Sequence, residues 1–331
     1  MMQKEIDVTA LGELLIDFTE NGISSQGNAL LEANPGGAPC NVLAMLEKLG
    51  KKTAFIGKVG NDQFGNMLRK TIESVGIDAE GLVIDDQVHT TLAFVHTYPD
   101  GDRDFSFYRN PGADMMLRKE EVSLDKICTS KIFHFGTLSF THVGIRATSQ
   151  YAIQCAKEAG ALISFDPNLR EPLWENLEDA RKAIEYGMEC CDILKISDNE
   201  LTFMTGEEDY DKGAVFLQQK YQIPLVCVTM GKDGSRAYYK GLIIKAEPFL
   251  QKNTIETTGA GDTFTGCMLN TVLDKGLDNL TGEDIRKMLR FANAGAALIT
   301  TKRGALRVMP EKEEIESLLE EQTEETYRRI Y

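Results

Sequence analysis

A glycine-rich stretch in the last third of the chain carries the residues best suited to chemistry: Gly259, Ala260, Gly261 and Asp262. Without side chains on the glycines, backbone N–H groups can crowd together. The pattern predicts a short strand from Thr254, a tight turn and a helix beginning near Gly261, whose free N–H groups favour an anion. Asp262 could take a proton from a hydroxyl while these groups stabilise a transferring phosphoryl group. The same pattern also fits an ordinary helix N-cap.

The composition sets limits on the partners. The chain has 331 residues, of which 42% are hydrophobic and 26% charged, with a formal net charge of −15. This is an ordinary globular composition, and the length can bury a large core. The negative charge disfavours nucleic acids and anionic membrane surfaces, because both are bound by basic patches. A local nest of N–H groups or a few arginines could still bind a small anion.

The cysteines and the apolar runs indicate the compartment. Seven cysteines are scattered without a C-x-x-C motif, and four histidines show no metal-ligand spacing. We therefore expect reduced thiols rather than disulfides or zinc. No apolar run approaches the roughly 20 residues that span a bilayer, and the N-terminus lacks a signal-peptide pattern. These features predict a cytoplasmic protein.

The segments that must position Asp262 alternate between strands and helices. Strands are predicted at residues 6–12, 53–60, 131–136, 161–165, 193–196 and 225–230. Helices are predicted at residues 63–75, 143–159, 176–190, 209–221, 261–274 and 283–301, with a last amphipathic helix from 311. Such alternation predicts a layered α/β fold.

Two β-rich segments, residues 90–98 and 103–108, interrupt the alternation. Between them, Pro99-Asp100-Gly101-Asp102 is a hairpin-turn signal, and no helix separates the two runs. They predict antiparallel strands outside the main sheet, which could join residues 13–33 in a small sheet over a cleft. Asp17 lies in that second region. Taken alone, the pattern favours an outward-facing Asp17 over one that binds a ligand.

Two long glycine-containing motifs follow one another in the chain. Residues 35–41 read Pro-Gly-Gly-Ala-Pro-Cys-Asn and continue to Gly-Lys-Val-Gly-Asn-Asp-Gln-Phe-Gly at 57–65, and residues 257–264 read Thr-Thr-Gly-Ala-Gly-Asp-Thr-Phe. With these motifs the chain resembles the ribokinase-like (PfkB) family of carbohydrate kinases over nearly its whole length. The motifs Gly-Glu-Leu-Leu-Ile-Asp-Phe at 12–18 and Phe-Asp-Pro-Asn-Leu-Arg at 165–170 are most similar to the fructokinase branch.

The resemblance implies a fold and an assembly. It implies one ribokinase-like domain over residues 1–331, with a central, mostly parallel sheet and helices on both of its faces. A small β lid would be formed by inserts at about 13–33 and 89–110. In this family the lid often mediates dimers, so a homodimer through the lid is one expected assembly.

The resemblance also implies roles for single residues. Asp262 would be the general base for a primary hydroxyl of the sugar, while the N–H groups of Gly259, Ala260 and Gly261 would hold the γ-phosphoryl group of ATP. The substrate-binding residues would be Asp17, Gly36, Gly37, Asn41, Arg109, Asn168 and Arg170. The nucleotide-binding residues would be Lys195, Thr229, Gly231, Gly234 and Asn293. The two arginines could instead form surface salt bridges, and Asn293 could serve close helix packing.

Two departures from the family pattern concern metals. An Asn-x-x-Glu motif tied to magnesium is here Ser-Asp-Asn-Glu at 197–200, so Glu200 would order Mg²⁺ through water. Glu256 stands where the family commonly has Asp. A potassium site would use Glu256, Thr258 and Gly304, and the longer side chain could shift or abolish it. The implied cofactors are therefore ATP and Mg²⁺, with K⁺ as an open addition.

The leading hypothesis is an ATP-dependent kinase that phosphorylates a ketohexose, most simply fructose to fructose 6-phosphate. Kinases of 2-keto-3-deoxygluconate, ribose or a nucleoside are alternatives within the same family, and the two arginines suit an acidic sugar. A sugar or nucleotide sensor on the same scaffold would be free to lose Asp262. A dinucleotide-dependent dehydrogenase and a P-loop ATPase are disfavoured, because neither fingerprint occurs where it would be needed.

Overall fold

The structure, a computed structural model, describes residues 3–97 and 103–330. The strands are β1 (Ile6–Leu11), β2 (Leu15–Ile23), β3 (Ala29–Gly36), β4 (Thr53–Gly60), β5 (Asp78–Asp85), β6 (Leu92–Thr97), β7 (Arg103–Tyr108), β8 (Ser130–Gly136), β9 (Leu162–Asp166), β10 (Ile193–Ser197), β11 (Leu225–Thr229), β12 (Ser235–Tyr239) and β13 (Leu242–Ala246). The α-helices are α1 (Ala38–Lys48), α2 (Gln63–Ser74), α3 (Leu124–Cys128), α4 (Val143–Glu158), α5 (Leu177–Cys190), α6 (Asp198–Thr205), α7 (Tyr210–Tyr221), α8 (Ala260–Lys275), α9 (Gly282–Ile299) and α10 (Lys312–Ile330).

The central sheet has the order β13-β12-β11-β10-β9-β8-β1-β4-β5. Neighbours from β11 to β5 are parallel, and β12 and β13 are antiparallel additions at one edge. Parallel strands covered on both faces need apolar residues on both sides, as the fully buried strand β4 shows. The predicted α/β fold with a mostly parallel sheet is confirmed.

Helices cover both faces of this sheet and bury two separate cores. In β11, Leu225 and Cys227 pack into the core that helices α1, α2, α8 and α9 share. Val226 and Val228 point the other way, into the core under helices α4 to α7. Burying one such side chain contributes about 1.5–3 kcal/mol. The alternation along one strand therefore fixes which face meets which helices.

A second sheet, which we call the lid, has the order β3-β2-β6-β7. Strand β2 is antiparallel to β3 and parallel to β6, and β6 is antiparallel to β7. The stacked rings of Phe18 and Phe94, with centroids 4.9 Å apart, join β2 to β6. The two predicted inserts therefore do form one small sheet, and β3 extends through Pro35 to Gly36. The predicted turn at 99–102 lies outside the described residues.

The prediction of a strand at Thr254 is wrong. Residues 250–259 form turns and irregular backbone, and the N–H groups of Ile255 and Glu256 both donate to the Thr300 carbonyl at the end of α9. With its N–H groups bound to the end of a helix, the segment does not pair with a sheet edge. The sequence analysis did not predict the edge hairpin β12–β13. Its turn residues Lys240 and Gly241 both have positive φ angles, the conformation of a tight hairpin turn.

The cysteines and the helices bear on two of the expectations above. All seven cysteines are free. Within the described residues, no helix is both long enough and apolar enough to cross a bilayer.

Candidate active site

The predicted site residues gather at the carboxyl ends of the parallel strands, where open α/β sheets bind ligands. Glu13 follows β1, Asn168 and Arg170 follow β9, and Gly231 follows β11. Residues from all four lid strands line the same cleft from above. The fold thus brings together segments that are far apart in the sequence.

The glycine-rich stretch forms the N-terminus of helix α8, as predicted. Gly259 has a φ angle of +77°, and an added Cβ would lie 2.7 Å from the Cβ of Ala305. A Cβ on Gly261 would lie 3.0 Å from Nζ of Lys195. Both glycines therefore permit close approach, and the cationic group of Lys195 stands beside the first turn of the helix. In that turn the N–H group of Ala260 already donates to the Thr257 carbonyl, at 3.2 Å.

Asp262 is not an N-cap, because Gly259 is the capping residue and no side chain caps the helix. The residue is 9% exposed, and its Oδ2 accepts a hydrogen bond of 2.8 Å from Nδ2 of Asn41. Burial raises the pKa of Asp262 to about 6, against the lowering effect of the Asn41 hydrogen bond and of Lys195. A carboxylate with this pKa can accept a proton near neutral pH and release it again.

The cleft beneath the lid is a cavity of about 400 Å³, which we call the acidic pocket. Its charged lining residues are Glu13, Asp17, Arg170, Lys195, Glu256 and Asp262. The carboxylates in this set outnumber the cations by two to one. Such a surface suits a neutral ligand with many hydroxyl groups, since each carboxylate oxygen can accept from a hydroxyl.

Asp17 faces this pocket, so the outward orientation that the local pattern favoured is wrong. Burial raises the pKa of Asp17 to about 7; nearby Arg170 lowers it, and Glu256 and Asp262 raise it. A Cβ on Gly36 would collide with Oδ2 of Asp17. Glycine at 36 thus leaves room for the acid.

Glu13 is a lining residue that we did not predict. It is 4% exposed, and its Oε1 accepts a hydrogen bond of 2.9 Å from the N–H of Ala38. Gly37 has a φ angle of +126°, and a Cβ there would collide with the Glu13 carbonyl. The alternation of pocket-lining residues at 13, 15, 17 and 19 is the signal that could have revealed Glu13.

Lys195, which lines the acidic pocket, forms a buried ion pair of 3.0 Å with Asp166. Burial acts to lower the pKa of Lys195, but the charges of Asp166 and Glu200 outweigh it and raise the pKa. The ammonium group therefore stays charged next to Gly261. Asp166 was also missed, although an acid at the end of a predicted parallel strand is the expected signal.

The prediction that Arg109 binds the substrate is not supported, and neither is a surface salt bridge. Arg109 is 7% exposed and pairs with Asp114, with 2.6 Å between Nη2 and Oδ2. It also donates to Oγ1 of Thr141 and to the Leu138 carbonyl. These bonds hold the end of lid strand β7 to the body. Arg170, in contrast, is exposed and lines the acidic pocket.

A second cavity of about 370 Å³, which we call the apolar pocket, lies on the other side of the start of α8. It contains the predicted residues Thr229, Gly231, Gly234 and Asn293. A Cβ on Gly234 would collide with the Ala246 carbonyl. Nδ2 of Asn293 donates to the carbonyls of Ala246 and Glu247, so this side chain fixes one wall of the pocket.

Part of the apolar lining of this second pocket, Pro248 to Leu250, had no prediction, whereas Ala296 and Ala297 belong to a small-residue helix face that we expected on the nucleotide side. The predicted nucleotide residue Lys195 does not line this pocket but the acidic one. Thr257 and Gly261 line both cavities, so the two pockets meet at the N-terminus of α8. A ligand in each would bring their reacting ends together beside Asp262.

Glu200 has a clear structural role. Its Oε1 accepts from the N–H of Leu169, and its Oε2 accepts from the N–H and Oγ of Ser197, at 2.7, 2.8 and 2.9 Å. Ser197 and Glu200 form the capping box of helix α6, which accounts for serine at position 197. Glu200 thereby also holds the loop that carries Asn168 and Arg170. Its contact with Mg²⁺ through water stays a prediction.

The other metal prediction concerns Glu256, Thr258 and Gly304, which all line the acidic pocket. Oε1 of Glu256 accepts a hydrogen bond of 2.7 Å from the N–H of Gly304. The three residues are therefore neighbours, and a potassium site there stays a prediction. No cluster of three or more His, Cys, Asp or Glu side chains that could hold a metal occurs within the described residues.

Known proteins resemble this chain over nearly all of its length. The sequence model of the pfkB family carbohydrate kinases matches residues 5–312. Probable fructokinase-2 of Arabidopsis thaliana is 44% identical over 320 residues, which cover 96% of this chain and 97% of the relative. A fructokinase of Xylella fastidiosa solved with bound ATP is 30% identical, with a TM-score of 0.88 over 97% of this chain and 100% of that one. A fructokinase double mutant of Vibrio cholerae O395, solved with fructose, ADP and potassium ion, is 28% identical, with a TM-score of 0.85 over 96% of this chain and 100% of that one.

Proposed function

The chain belongs to the pfkB family of carbohydrate kinases, and from this premise we propose that it transfers the γ-phosphoryl group of ATP to the 6-hydroxyl group of fructose. The observation that carries the proposal is the junction of the two pockets at Gly261, with Asp262 beside it. Fructose would occupy the acidic pocket and ATP the apolar one. The fructokinase names of its relatives support fructose as the sugar.

The geometry supports a role for named residues in each step of such a transfer. Asp17 and Asn41 would accept from and donate to hydroxyl groups of the sugar. Asp262 would take the proton of the attacking hydroxyl, while the N–H groups at the start of α8 and the ammonium of Lys195 would stabilise charge on the moving phosphoryl group. The lid would exclude water, which would otherwise compete as an acceptor.

ATP requires a divalent metal ion, for which we propose Mg²⁺. Bound to the phosphates, the ion neutralises charge that develops on their oxygens. Mg²⁺ typically keeps several waters and needs few protein ligands besides the phosphates of the nucleotide. Glu200 would meet it through water. Potassium near Glu256 and Gly304 is a further proposal, supported by the bond between these two residues.

The charges in the acidic pocket separate fructose from an acidic sugar such as 2-keto-3-deoxygluconate. Of the two arginines that could bind a carboxylate, Arg109 is held by Asp114. Arg170 faces Asp17, whose pKa it lowers. A carboxylate ligand would meet more negative than positive side chains, and the repulsion disfavours it.

Self-association through the lid is a separate proposal. Ile23, Leu30 and Leu31 on β2 and β3 are 45–75% exposed, and exposed large apolar side chains on one small sheet can mark an interaction surface. A homodimer would cover them. Analytical ultracentrifugation of the wild type and of the variant Leu30→Asp/Leu31→Asp should show a dimer and a monomer, respectively; a wild-type monomer would contradict the proposal.

The function is tested by ADP production with ATP, Mg²⁺ and a panel of fructose, 2-keto-3-deoxygluconate, ribose and adenosine, with and without potassium. We expect the highest kcat/KM with fructose, little ATP hydrolysis without sugar, and fructose 6-phosphate as the product by phosphorus NMR. Binding of sugar and ATP without turnover would indicate a sensor. A higher kcat/KM with another member of the panel would replace fructose by that compound.

A further inference from the structure

The N-termini of helices α1 and α8 meet beneath the acidic pocket, and one hydrogen bond joins their side chains. Nδ2 of Asn41 lies 2.8 Å from Oδ2 of Asp262. Both residues are nearly inaccessible, at 4% and 9% exposure. The backbones approach closely, since a Cβ on Gly266 of α8 would lie 2.7 Å from the Cβ of Met45 in α1. The amide is thus held against the carboxylate by rigid elements.

The orientation of the amide follows from its chemistry. An ionised carboxylate only accepts hydrogen bonds, so the NH₂ group of Asn41 must face Asp262. Its Oδ1 is buried and has no hydrogen-bond partner within the described residues. A buried acceptor without a donor is costly. Asn41 also lines the acidic pocket, so its side chain is in reach of a bound sugar as well as of Asp262.

We propose that Asn41 is a positioning residue for Asp262: its amide NH₂ group holds the carboxylate ionised and directed at the sugar hydroxyl. This rests on the proposed sugar-kinase function and adds a second task to Asn41, which the resemblance assigned only to sugar binding. One amide would then contact both the acceptor sugar and the base. Loss of the amide would disable the base even when sugar saturates the pocket.

The charges that face Asp262 set the direction of the expected effect. Burial raises the pKa of Asp262, and the carboxylate of Asp166 raises it further. Asp17 also interacts with Asp262, and Glu13 and His134 line a small cavity together with Asp262. The Asn41 hydrogen bond, Lys195 and Arg170 lower the pKa. Without the hydrogen bond from Asn41, the protonated form of Asp262 becomes more stable relative to the carboxylate. Asp262 would therefore bind its proton at a higher pH.

The test is the variant Asn41→Leu, which keeps the size of the side chain and removes its hydrogen bonds. We expect the acid limb of kcat, measured at saturating sugar and ATP, to move up by about one pH unit. Well below about pH 6, the pKa of Asp262 in the wild type, this gives a loss of up to about 10-fold. The loss shrinks to about 2-fold at pH 7 and disappears at alkaline pH. Met45→Leu is the matched control, because Met45 packs against α8 without bonding to Asp262, and its acid limb should not move.

An Asn41→Leu variant with a raised KM for sugar and an unshifted acid limb would overturn the proposal and leave Asn41 as a sugar ligand only. The variant Asn41→Asp provides a second test in case Asn41→Leu does not fold, judged by circular dichroism. It places an acceptor against Asp262, and we expect a larger upward shift.

The hydrogen bond can also be tested without turnover, which separates it from the proposed function. Carbon NMR titration of labelled Asp262 in the wild type and in Asn41→Leu should give a higher pKa in the variant. An equal pKa in both proteins would refute the positioning role. A higher pKa in a protein that phosphorylates none of the sugars would instead refute the proposed function alone.

Discussion

The two pockets are almost equal in volume but opposite in chemistry. The acidic pocket, of about 400 Å³, is lined by six charged side chains within the described residues. The apolar pocket, of about 370 Å³, is lined in the same part of the chain by one, Lys232. The first pocket is assembled from the lid and from strand ends distant in sequence. The second comes wholly from residues 229–300, in the last third of the chain.

The difference in lining between the two pockets indicates how each ligand would be recognised. Hydroxyl groups are distinguished by carboxylates and amides at fixed distances, and removing one leaves a buried partner unsatisfied. The flat adenine ring of ATP would be held by apolar side chains and by backbone that approaches it closely, so that single side chains matter less. We therefore expect changes in the acidic pocket to have large and pH-dependent effects. Changes in the apolar pocket should matter mainly where a glycine is required.

The largest effect is expected for Asp262→Asn. An amide cannot take the proton of the attacking hydroxyl, so kcat should fall by at least about 100-fold while ATP affinity is retained. In the wild type, kcat should fall below about pH 6, where Asp262 binds a proton, and this acid limb should vanish in the variant. Steady-state kinetics over pH and calorimetric titration with ATP measure both.

The control for this change is Asp274→Asn, which alters an acid on the same helix whose side chain is 53% exposed. It should retain wild-type kcat. Near-normal turnover by Asp262→Asn would remove Asp262 from the role of base. The meeting of the acidic and the apolar pocket beside Asp262 would then not explain how the phosphoryl group is transferred.

A smaller effect, confined to the sugar, is expected for Asp17→Asn. The amide can accept only at one of its two polar atoms, so a hydrogen bond from a sugar hydroxyl to a charged acceptor is lost. KM for fructose should rise roughly 10- to 100-fold, with KM for ATP unchanged. Glu20→Gln, an exposed acid on the same lid strand, is the matched control. Equal increases in both KM values would show that the pockets are not independent.

The smallest effect is expected in the apolar pocket, for Gly234→Ala. The added Cβ would collide with the Ala246 carbonyl, so the wall must shift, and KM for ATP should rise by about 5- to 10-fold while KM for fructose stays constant. Gly241→Ala is the matched control, because Gly241 also has a positive φ angle but no atom within 4 Å of an added Cβ. Indistinguishable KM values for ATP in the two variants would show that contact at Gly234 does not shape the pocket.

Sequence alone predicted those parts of the fold and site that depend on local pattern. The nest at Gly259–Gly261 was visible because glycines and a helix start are adjacent in the chain. Asp166 and Glu13 were missed because their positions matter only once strands β1, β9 and β10 are part of the same parallel sheet. The apolar wall at Phe249 and Leu250 was missed for a related reason, since an irregular segment has no periodicity.

The erroneous predictions have one physical origin, a partner that sequence does not reveal. The resemblance placed Arg109 among the substrate ligands, yet Asp114, Thr141 and Leu138 already accept hydrogen bonds from its guanidinium group. Asp17 looked like an outward-facing acid because its neighbours are apolar. The resemblance corrected Asp17 and misled on Arg109. Only the packing of the lid against the rest of the protein shows that Asp17 faces the pocket and that Arg109 does not.

The most direct test of the account is a crystal structure with fructose and a non-hydrolysable ATP analogue bound together. We expect fructose in the acidic pocket, with its 6-hydroxyl group about 3 Å from a carboxylate oxygen of Asp262. The γ-phosphate group should lie against the N–H groups at the start of α8, in line with that hydroxyl. A 6-hydroxyl group bound away from Asp262, or a nucleotide whose terminal phosphate lies outside the junction at Gly261, would contradict the account.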